Sequence, residues 1–281
     1  MPSPASSDVA PLRILQRGAV FHIELSQPEA RNPLGHDMIA ALNAALDEAD
    51  SGPAVRVLLF TAAGPAFSAG GNLGNLNERL QALPGPDGQD PIAVGNRQYG
   101  SFLARLTASP KVSVVAVQGH AVGGGAGLVC AADISIGIAS ARFGFPETSI
   151  GLVPGQILPF VAARIGVQAA RRLMLTGERI TAAEAHRLGL LDEVVDDAQA
   201  LASRTRSVVE SILACGPVAS AATKLLLRQV AGGAGAEAGA LTAYLDEASR
   251  VFARQMRSEA MEGVSASRAK RKPRWAVPAD L

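Results

Sequence analysis

An α/β fold followed by a helical C-terminal region is predicted by three features of this 281-residue chain. Two short apolar segments, VRVLLF at 55–60 and VSVVAV at 112–117, have the composition of buried strands. Each runs into a glycine-rich turn, so a unit of strand, turn and helix recurs along the chain. Beyond about residue 196 the strand signals disappear, and Ala, Arg and Leu dominate. We therefore expect a core over residues 12–196 and a helical region over residues 197–281.

The elements before the second apolar segment follow mainly from hydrophobic periodicity. Over residues 12–25, two short strand signals flank Gly18, and the second alternates apolar and polar residues as a strand with one buried face does. Over residues 37–49, apolar residues recur four apart, which predicts a helix. Residues 77–100, which contain LPGPDGQDP, are expected to form a mobile loop beside the first glycine-rich turn.

The later elements are predicted from capping signals and composition. A third short strand, ISIGI at 134–138, precedes the segment ARFGFPE. Thr181 and Glu184 form a Thr-x-x-Glu capping box at the start of a helix, and Gly189 lies just past its end. The strand-like segment LLDEVV follows. Three further helices are expected at residues 200–214, 217–230 and 238–261.

Composition and charge argue against several classes of function. The formal net charge of +1 gives little bulk attraction for nucleic acid, and no apolar segment approaches the roughly 20 residues that a membrane span needs. Residues 1–11 lack the charged start and apolar run of a signal peptide, so a disordered lead-in is expected. Cys130 and Cys215 are expected to be buried free thiols, which fits a reducing compartment. A cytoplasmic protein without nucleic-acid or membrane partners is therefore predicted.

The two glycine-rich turns are the candidate chemical features of the chain. A turn of small residues after a buried strand exposes backbone N–H groups, and a helix that begins there favours negative charge. The run GGGAGL at 123–128 does not give G-x-G-x-x-G in register, no G-K-[ST] is present, and no Cys/His cluster suggests a metal. Stabilisation of an oxyanion is therefore the favoured use. The alternative is that these glycines only permit close packing of helix against strand.

Four ordered segments resemble the crotonase (enoyl-CoA hydratase/isomerase) superfamily over roughly residues 12–275. They are PAFSAGGNL at 65–73, VQGHAVGGGAGLVCAADISI at 117–136, ARFGFPETSIGLVPG at 141–155 and LTGERITAAEAHRLGLLDEVV at 175–195. The resemblance implies a crotonase spiral of repeated ββα turns, followed by C-terminal helices that assemble homotrimers, often paired into homohexamers. It also implies an acyl-CoA thioester substrate, with coenzyme A as part of the substrate and with no further cofactor and no metal.

The same resemblance assigns roles to individual residues. The backbone N–H groups of Gly71 and Gly124 are the expected oxyanion donors, and Glu147 occupies the position of the family's general acid/base. Arg31, in EARNPL, corresponds to an arginine near the coenzyme phosphates, with a solvent-facing side chain as the alternative. The other residues expected to line the substrate site are Ala69, Gly70, Asn72, Leu73 and Gly123.

One position departs from the two-glutamate pattern of the well-known hydratases. Gly127 stands where their first glutamate lies, so Glu147 is the single remaining acid. One carboxylate suffices to take and return a proton, as in isomerases, whereas hydration also needs a water held on the correct face. His120, Asn72 and Gln156 are the candidates for that assistance.

Two segments narrow the resemblance to a subgroup. PETSIGLVPGQILPFVAARIG and AKRKPRWA look like the bacterial hydratases of branched glutaconyl-CoA thioesters, the methylglutaconyl- and isohexenylglutaconyl-CoA hydratases. We therefore predict an enoyl-CoA hydratase-type lyase that adds water to a branched or carboxylated 2-enoyl-CoA. The alternatives are an isomerase that moves a double bond with Glu147 alone, and a non-catalytic acyl-CoA-binding protein. The basic tail at 268–274 either lies near coenzyme phosphates or is solvated.

Overall fold

The computed structural model describes residues 10–71, 90–230, 238–256 and 258–281. Its strands in chain order are β1 (Leu12–Arg17), β2 (Val20–Leu25), β3 (Val57–Ala62), β4 (Ala66–Ser68), β5 (Val112–Val117), β6 (His120–Val122), β7 (Ile134–Ile138), β8 (Arg142–Gly144), β9 (Arg179–Thr181) and β10 (Glu193–Val195). They form a six-stranded sheet in the order β1–β2–β3–β5–β7–β10 and a four-stranded sheet in the order β4–β6–β8–β9.

The chain passes repeatedly from the larger sheet to the smaller one. The first sheet has β3, β5 and β7 as neighbours. Within a few residues, β3 is followed by β4, β5 by β6 and β7 by β8, and these three following strands are neighbours in the second sheet. These pairings are parallel, whereas β1–β2 and β8–β9 are antiparallel. Each repeat therefore contributes one strand to each sheet before the chain returns, which gives a spiral of ββα turns.

Helices complete the repeats and form the C-terminal region. The helices of the core are α1 (His36–Ser51), α2 (Pro91–Ala108), α3 (Gly124–Ala131), α4 (Leu158–Thr176) and α5 (Ala182–Arg187). The later ones are α6 (Ala198–Ala214), α7 (Pro217–Gln229), α8 (Ala238–Met256) and α9 (Glu259–Arg268). Of the described helices, none is by itself long and apolar enough to cross a membrane, while α6 and α7, bent by 101° at their junction, meet the length and composition test only as a pair.

Two apolar clusters hold these layers together. The larger cluster fills the space between the sheets and helices α1 to α4, and it includes the fully buried side chains of Phe60, Phe102 and Phe143. The smaller cluster covers the outer face of the six-stranded sheet, where Leu201 and Val209 of α6 pack on the strands. α3 is buried from its second residue, Gly125, to its end at Ala131, so only its first residue, Gly124, is partly exposed.

Two cations attach the C-terminal region to the core. The Arg56 guanidinium donates to the carbonyl oxygens of Cys215 and Trp275, both at 2.6 Å, and thereby joins the end of α6 to the tail. The ammonium of Lys224, on α7, lies 2.7 Å from Oδ2 of Asp133. α7 has no buried residue of its own, so this ion pair is a principal tie between that helix and the core.

The predicted α/β class, the five predicted strands of 12–25, 55–60, 112–117 and 134–138, and the strand in LLDEVV are confirmed. The helix expected over 238–261 is instead two helices, α8 and α9. Cys215 was expected to be buried, but it is exposed at the end of α6. The expected capping box is half formed, because Thr181 Oγ1 accepts from the N–H of Glu184 while the Glu184 carboxylate pairs with two arginines.

The expectation of a long loop over 77–100 was wrong for residues 91–100, which are helical. Residues 77–89 lie outside the described residues, and α2 begins at Pro91. The Asp90 side chain caps this helix by accepting from Ile92 N at 2.8 Å, and Pro91 is the favoured residue for a first helical position. The apolar face of α2, with Phe102 and Leu106 fully buried, then fixes it on the core.

Candidate active site

The first glycine-rich turn lies at the end of β4. Gly70 has a φ of +86°, and a Cβ at this position would lie 2.7 Å from the carbonyl oxygen of Val122 on β6. Glycine satisfies both this backbone conformation and so close an approach. The Gly70 carbonyl accepts from Leu34 N at 2.7 Å, and Gly71 forms an isolated parallel bridge with Leu34. The turn is therefore held between β6 and the segment that precedes α1.

A buried asparagine supports the same turn. Asn32 is fully buried with a φ of +52°, and its Nδ2 donates to the carbonyl oxygens of Ala63 and Ala66 at 2.9 and 3.0 Å. Its own carbonyl accepts from the Ser68 hydroxyl at 2.7 Å, and Ser68 Oγ accepts from Gly70 N at 3.1 Å. A buried network with its groups paired rigidifies the backbone it connects, so the position of Gly70 is set by side chains from two segments.

The second glycine-rich turn meets the first one at its glycine backbone. Gly123 has a φ of +55°, and its N–H donates to the carbonyl of Gly144 on β8 at 2.8 Å. A Cβ on Gly123 would lie 2.8 Å from Oε1 of Glu147 and 3.8 Å from the Cα of Gly70. A Cβ on Gly70 would lie 3.3 Å from the backbone nitrogen of Gly124. Both turns and the Glu147 carboxylate therefore converge on one point.

The backbone N–H groups of Gly71 and Gly124 lie on these two turns. Within the described parts of the chain, no acceptor is paired with the N–H of Gly71 or with that of Gly124. Gly124 is the first residue of α3, where the N–H groups lack intrahelical partners and the helix dipole favours negative charge. The arrangement therefore offers two donors, from adjacent segments, to an oxygen that gains negative charge.

Glu147 lies in the 3₁₀ turn Pro146–Ile150, which Gly151 ends with a φ of +76°. The neighbouring Thr148 hydroxyl donates to the carbonyl of Met174 at 2.6 Å and anchors the turn to α4. Burial raises the pKa of the Glu147 carboxyl, and a hydrogen bond from its own backbone partly opposes this. Oε2 of Glu147 is buried without a hydrogen-bond partner among the described residues. The carboxyl is thus placed to exchange a proton with a bound molecule.

The position of the absent first glutamate is closed by an apolar side chain. Gly127 is on the first turn of α3, on the same face as Gly124. A Cβ on Gly127 would lie 2.5 Å from Cγ2 and 2.9 Å from Cβ of Ile157, which is itself buried. No side chain fits there unless Ile157 moves. The site therefore combines one carboxylate with an apolar wall where a second acid would otherwise stand.

Of the other residues expected to line the substrate site, Arg31 and Ala69 are exposed, whereas two lie outside the described residues. Arg31 is exposed with a φ of +62°, and its carbonyl accepts from Ala69 N at 2.9 Å. Its guanidinium has no partner among the described residues, so it is available to a ligand. Ala69 is exposed at the surface of the first turn. Asn72 and Leu73 lie outside the described residues.

The three candidates for assisting Glu147 are not brought to its carboxylate by any described contact. His120 is exposed at the start of β6, whereas the site lies beyond the end of that strand at Gly123. The Gln156 carboxamide packs against Gly100 of α2. Asn72, the third candidate, is outside the described residues.

Two arginines of the basic tail pair within their own chain. The Arg271 guanidinium donates to both oxygens of Glu262 at 2.8 and 3.1 Å, and Arg274 N donates to Oε1 at 2.9 Å. These bonds, led by the one from Arg271, lower the pKa of Glu262 to about 2.

Across the described ranges, no group of three His, Cys, Asp or Glu side chains is placed to hold a metal ion.

Four residues that shape the site were missed by sequence reasoning. Asn32 and Ser68 tie the first turn, Ile157 closes the space at position 127, and Tyr99 donates from α2 to the Gly124 carbonyl. Only Asn32 carried a local signal, because it directly follows Arg31 in a segment already singled out. The other three act across long sequence separations that hydrophobic periodicity does not register.

Comparison with known proteins gives concordant matches. The family model described as enoyl-CoA hydratase/isomerase matches residues 16–278. A putative enoyl-CoA hydratase from Thermus thermophilus is 34% identical over 93% of this chain and 99% of that protein. The 1,2-epoxyphenylacetyl-CoA isomerase of Escherichia coli is 33% identical over 91% of this chain and 94% of that protein. The solved structure of Pseudomonas aeruginosa AtuE has a TM-score of 0.86 at 38% identity, covering 95% of this chain and all 100% of that one.

Proposed function

The chain belongs to the enoyl-CoA hydratase/isomerase family, and from that premise we propose that it is a hydro-lyase adding water to a 2-enoyl-CoA thioester. In this proposal the N–H groups of Gly71 and Gly124 bind the thioester oxygen. Glu147 is the only side chain that moves a proton. Coenzyme A enters as part of the substrate and no further cofactor takes part.

The proposed chemistry needs one proton to be taken and one returned. The Glu147 carboxylate takes a proton from water as the water oxygen bonds to C3 of the substrate. The electron pair of the C2–C3 double bond then forms the enolate, whose charge is carried by the thioester oxygen between the two N–H groups. When the enolate collapses, Glu147 returns a proton to C2. Each donor to such an oxyanion typically lowers the activation free energy by about 2.7–4 kcal/mol.

The observation that carries the proposal is the buried Oε2 of Glu147, which has no hydrogen-bond partner among the described residues, on a carboxylate that lies where the turns of Gly71 and Gly124 meet. A buried polar atom without a partner is unfavourable in a resting protein by about 1–3 kcal/mol. Such groups are retained where a ligand satisfies them. The raised pKa of Glu147 also suits a group that must both accept and donate a proton near neutral pH.

For the acyl group, we propose a branched or carboxylated 2-enoyl chain. The support is the resemblance of segments 146–166 and 269–276 to hydratases of branched glutaconyl-CoA thioesters. The buried side chain of Ile157 adds an apolar wall where the two-glutamate hydratases have an acid. That wall suits a substrate with an additional alkyl branch near C3.

Isomerisation is the second candidate, and the closed space at Gly127 favours it. One carboxylate is enough to remove a proton from C2 of a 3-enoyl thioester and to return it to C4, with a conjugated dienolate between the two steps whose charge the same two N–H groups would stabilise. Hydration requires in addition that a water be held beside Glu147, and no side chain among the described residues hydrogen-bonds to Oε2 of Glu147. Relatives with hydratase names and one with an isomerase name have similar identities to this chain.

The deciding experiment compares substrates with one variant. Wild type, Glu147→Gln and the control Glu210→Gln, an exposed glutamate on α6, are assayed with linear, branched and carboxylated 2-enoyl-CoA and 3-enoyl-CoA thioesters. We expect loss of enoyl absorbance with a product 18 Da heavier, abolished only in Glu147→Gln. A moved double bond without a mass change would establish the isomerase instead. Binding without turnover of any thioester would indicate an acyl-CoA-binding protein.

The coenzyme and the assembly complete the proposal. Arg31, exposed and unpaired among the described residues, is the proposed contact for a coenzyme phosphate. A homotrimer, or a homohexamer built from two, is proposed because α7 and α8 leave large apolar side chains exposed, including Leu227 at 62% and Phe252 at 67%. Sedimentation at several concentrations tests this, and a monomer at micromolar concentration would refute it.

A further inference from the structure

Tyr99 connects α2 to the second glycine-rich turn. Its hydroxyl donates to the carbonyl oxygen of Gly124 at 2.5 Å, across 25 positions of sequence. The residue is 8% exposed, and its ring stacks with Phe102 at a centroid distance of 6.1 Å and an interplanar angle of 23°. The hydroxyl is therefore carried by a ring that has little freedom to move.

The Tyr99 ring also touches Gly124 from the side. A Cβ on Gly124 would lie 3.3 Å from Cε1 of Tyr99 and 3.1 Å from Cδ1 of Leu34. Burial raises the pKa of the phenol, and the nearby Cys130 and Glu147 raise it further. With its pKa raised, the hydroxyl stays protonated at neutral pH, so it remains a donor to the Gly124 carbonyl.

We propose that Tyr99 is a positioning residue for the oxyanion site, because its hydrogen bond to the Gly124 carbonyl fixes the orientation of the residue whose N–H binds the thioester oxygen. This inference rests on the proposed function, in which Gly124 is a donor. It adds a side chain from a different helix to a site that otherwise consists of backbone and Glu147.

The backbone around Gly124 needs such a restraint. Three consecutive glycines, Gly123 to Gly125, have no side chains to limit their dihedral angles, and glycine is the most mobile residue in a backbone. As the first residue of α3, Gly124 also lacks an intrahelical partner for its N–H. A donor that is misplaced by about 1 Å can reduce a rate by two orders of magnitude. The Tyr99 hydrogen bond restrains Gly124 from the carbonyl side and leaves its N–H free.

The chain offers a matched pair of variants, because it contains two tyrosines. Tyr99→Phe removes the hydroxyl and keeps the ring, and Tyr244→Phe removes the half-buried hydroxyl of α8 as the control. The readouts are kcat, KM, Tm and the infrared C=O stretch of a bound saturated acyl-CoA labelled with carbon-13 at the thioester carbonyl. The stretch reports directly on hydrogen bonding to the thioester oxygen.

We expect the wild type to lower the C=O stretch relative to water, and Tyr99→Phe to lose much of that shift. Its kcat should fall about tenfold, with KM within about twofold, since one neutral hydrogen bond and the orientation of one donor are affected. Tyr244→Phe should match the wild type. A Tyr99→Phe protein with wild-type kcat and wild-type C=O stretch would overturn the proposal, as would an equal loss in Tyr244→Phe.

The test remains decisive in two less favourable cases, a variant that does not fold and a wild type without turnover. If Tyr99→Phe does not fold, 3-fluorotyrosine incorporated into the Tyr244→Phe protein labels Tyr99 alone. Its fluorine resonance should then move when the saturated thioester binds, and an unmoved resonance would overturn the proposal. If the wild type turns over no thioester, the C=O shift still tests Tyr99, so failure of the proposed reaction is distinguishable from failure of the positioning role.

Discussion

The packing of Ile157 against Gly127 makes a specific prediction about stability. Gly127 lies inside α3 with an ordinary helical backbone, and helix propensity alone would make Gly127→Ala stabilising by about 1 kcal/mol. The added Cβ would instead lie 2.5 Å from Cγ2 of Ile157, about 1 Å closer than an ordinary carbon–carbon contact. Overpacking of this kind costs about 1–3 kcal/mol. The net expectation is a destabilisation of about 1 kcal/mol.

Removing Ile157 should reverse the effect. Ile157→Gly eliminates both short contacts at a position that precedes α4 as its N-cap, where glycine is accepted. Alone, it should cost about 3 kcal/mol or more for the lost apolar side chain and the cavity. In that background, Gly127→Ala should become stabilising by about 1 kcal/mol, because only the helix preference remains. The coupling free energy between the two positions is therefore about 2 kcal/mol.

Thermal unfolding of the four proteins at one fixed concentration measures this cycle. For a chain of this length, about 1 kcal/mol corresponds to roughly 2 °C in Tm, so Gly127→Ala should lower Tm by about 2 °C in wild type and raise it by about 2 °C with Ile157→Gly. Fixed concentration is needed because the proposed assembly would make Tm depend on protein concentration. Additive shifts in Tm, or a higher Tm for Gly127→Ala alone, would refute the conclusion that Ile157 fills the space beside Gly127.

Four other outcomes follow from the structure. Burial raises the pKa of Glu147 in the folded state, so the folded protein is most stable with this carboxyl protonated, and that stability is lost as pH rises from the ordinary glutamate pKa through the raised one. Glu147→Gln, which cannot ionise, should therefore raise Tm at about pH 8 and leave it unchanged near about pH 3. Arg31→Gln should raise KM for the thioester about tenfold in steady-state assays with kcat nearly unchanged, and a changed kcat at constant KM would contradict a phosphate contact. Arg56→Met should lower stability by about 2 kcal/mol and speed limited proteolysis of the C-terminal tail, since it frees several backbone carbonyls; unchanged cleavage would contradict that tie. Lys224→Met should lower stability by about 2 kcal/mol by removing the cation paired with Asp133, whose Oδ2 then accepts only from Ser113 N and Oγ among the described residues, and adding Asp133→Asn should recover part of the loss; no recovery would show that the cost lies elsewhere.

The sequence predicted the larger sheet well because five of its six strands have five or six residues of apolar or alternating pattern. The strands of the smaller sheet have three residues each, which is too short for a period to be read. α4 was not anticipated, and its helical pattern is interrupted at Gly166, which has a φ of +77°. At α2, the turn residues of LPGPDGQDP outweighed the Asp90–Pro91 start signal. Each miss reflects a local signal that tertiary packing overrode or that was too short to measure.

For the site, the sequence supplied the residues that share a motif and missed those that act across the fold. Glycine-rich turns are visible in a sequence because their composition is unusual, and at Gly70, Gly123 and Gly127 packing leaves no alternative residue. A contact such as Tyr99 to Gly124, or Ile157 to Gly127, joins segments 25 or more positions apart, and neither partner is unusual in its own segment. Such pairs are found only when the chain is folded.

Of the two explanations that the sequence left open for the glycines, close packing and oxyanion binding, close packing accounts for some positions and not for others. Packing explains Gly70, Gly123 and Gly127, where a Cβ would lie within 3 Å of a neighbouring atom. It does not explain Gly71, where a Cβ would meet no described atom within 4 Å and φ is not in the left-handed region. The N–H of Gly71 has no partner among the described residues, and Gly71 follows Gly70 on the turn that meets Glu147. A glycine that packing against the described residues does not require, with such a donor, fits the proposed thioester site.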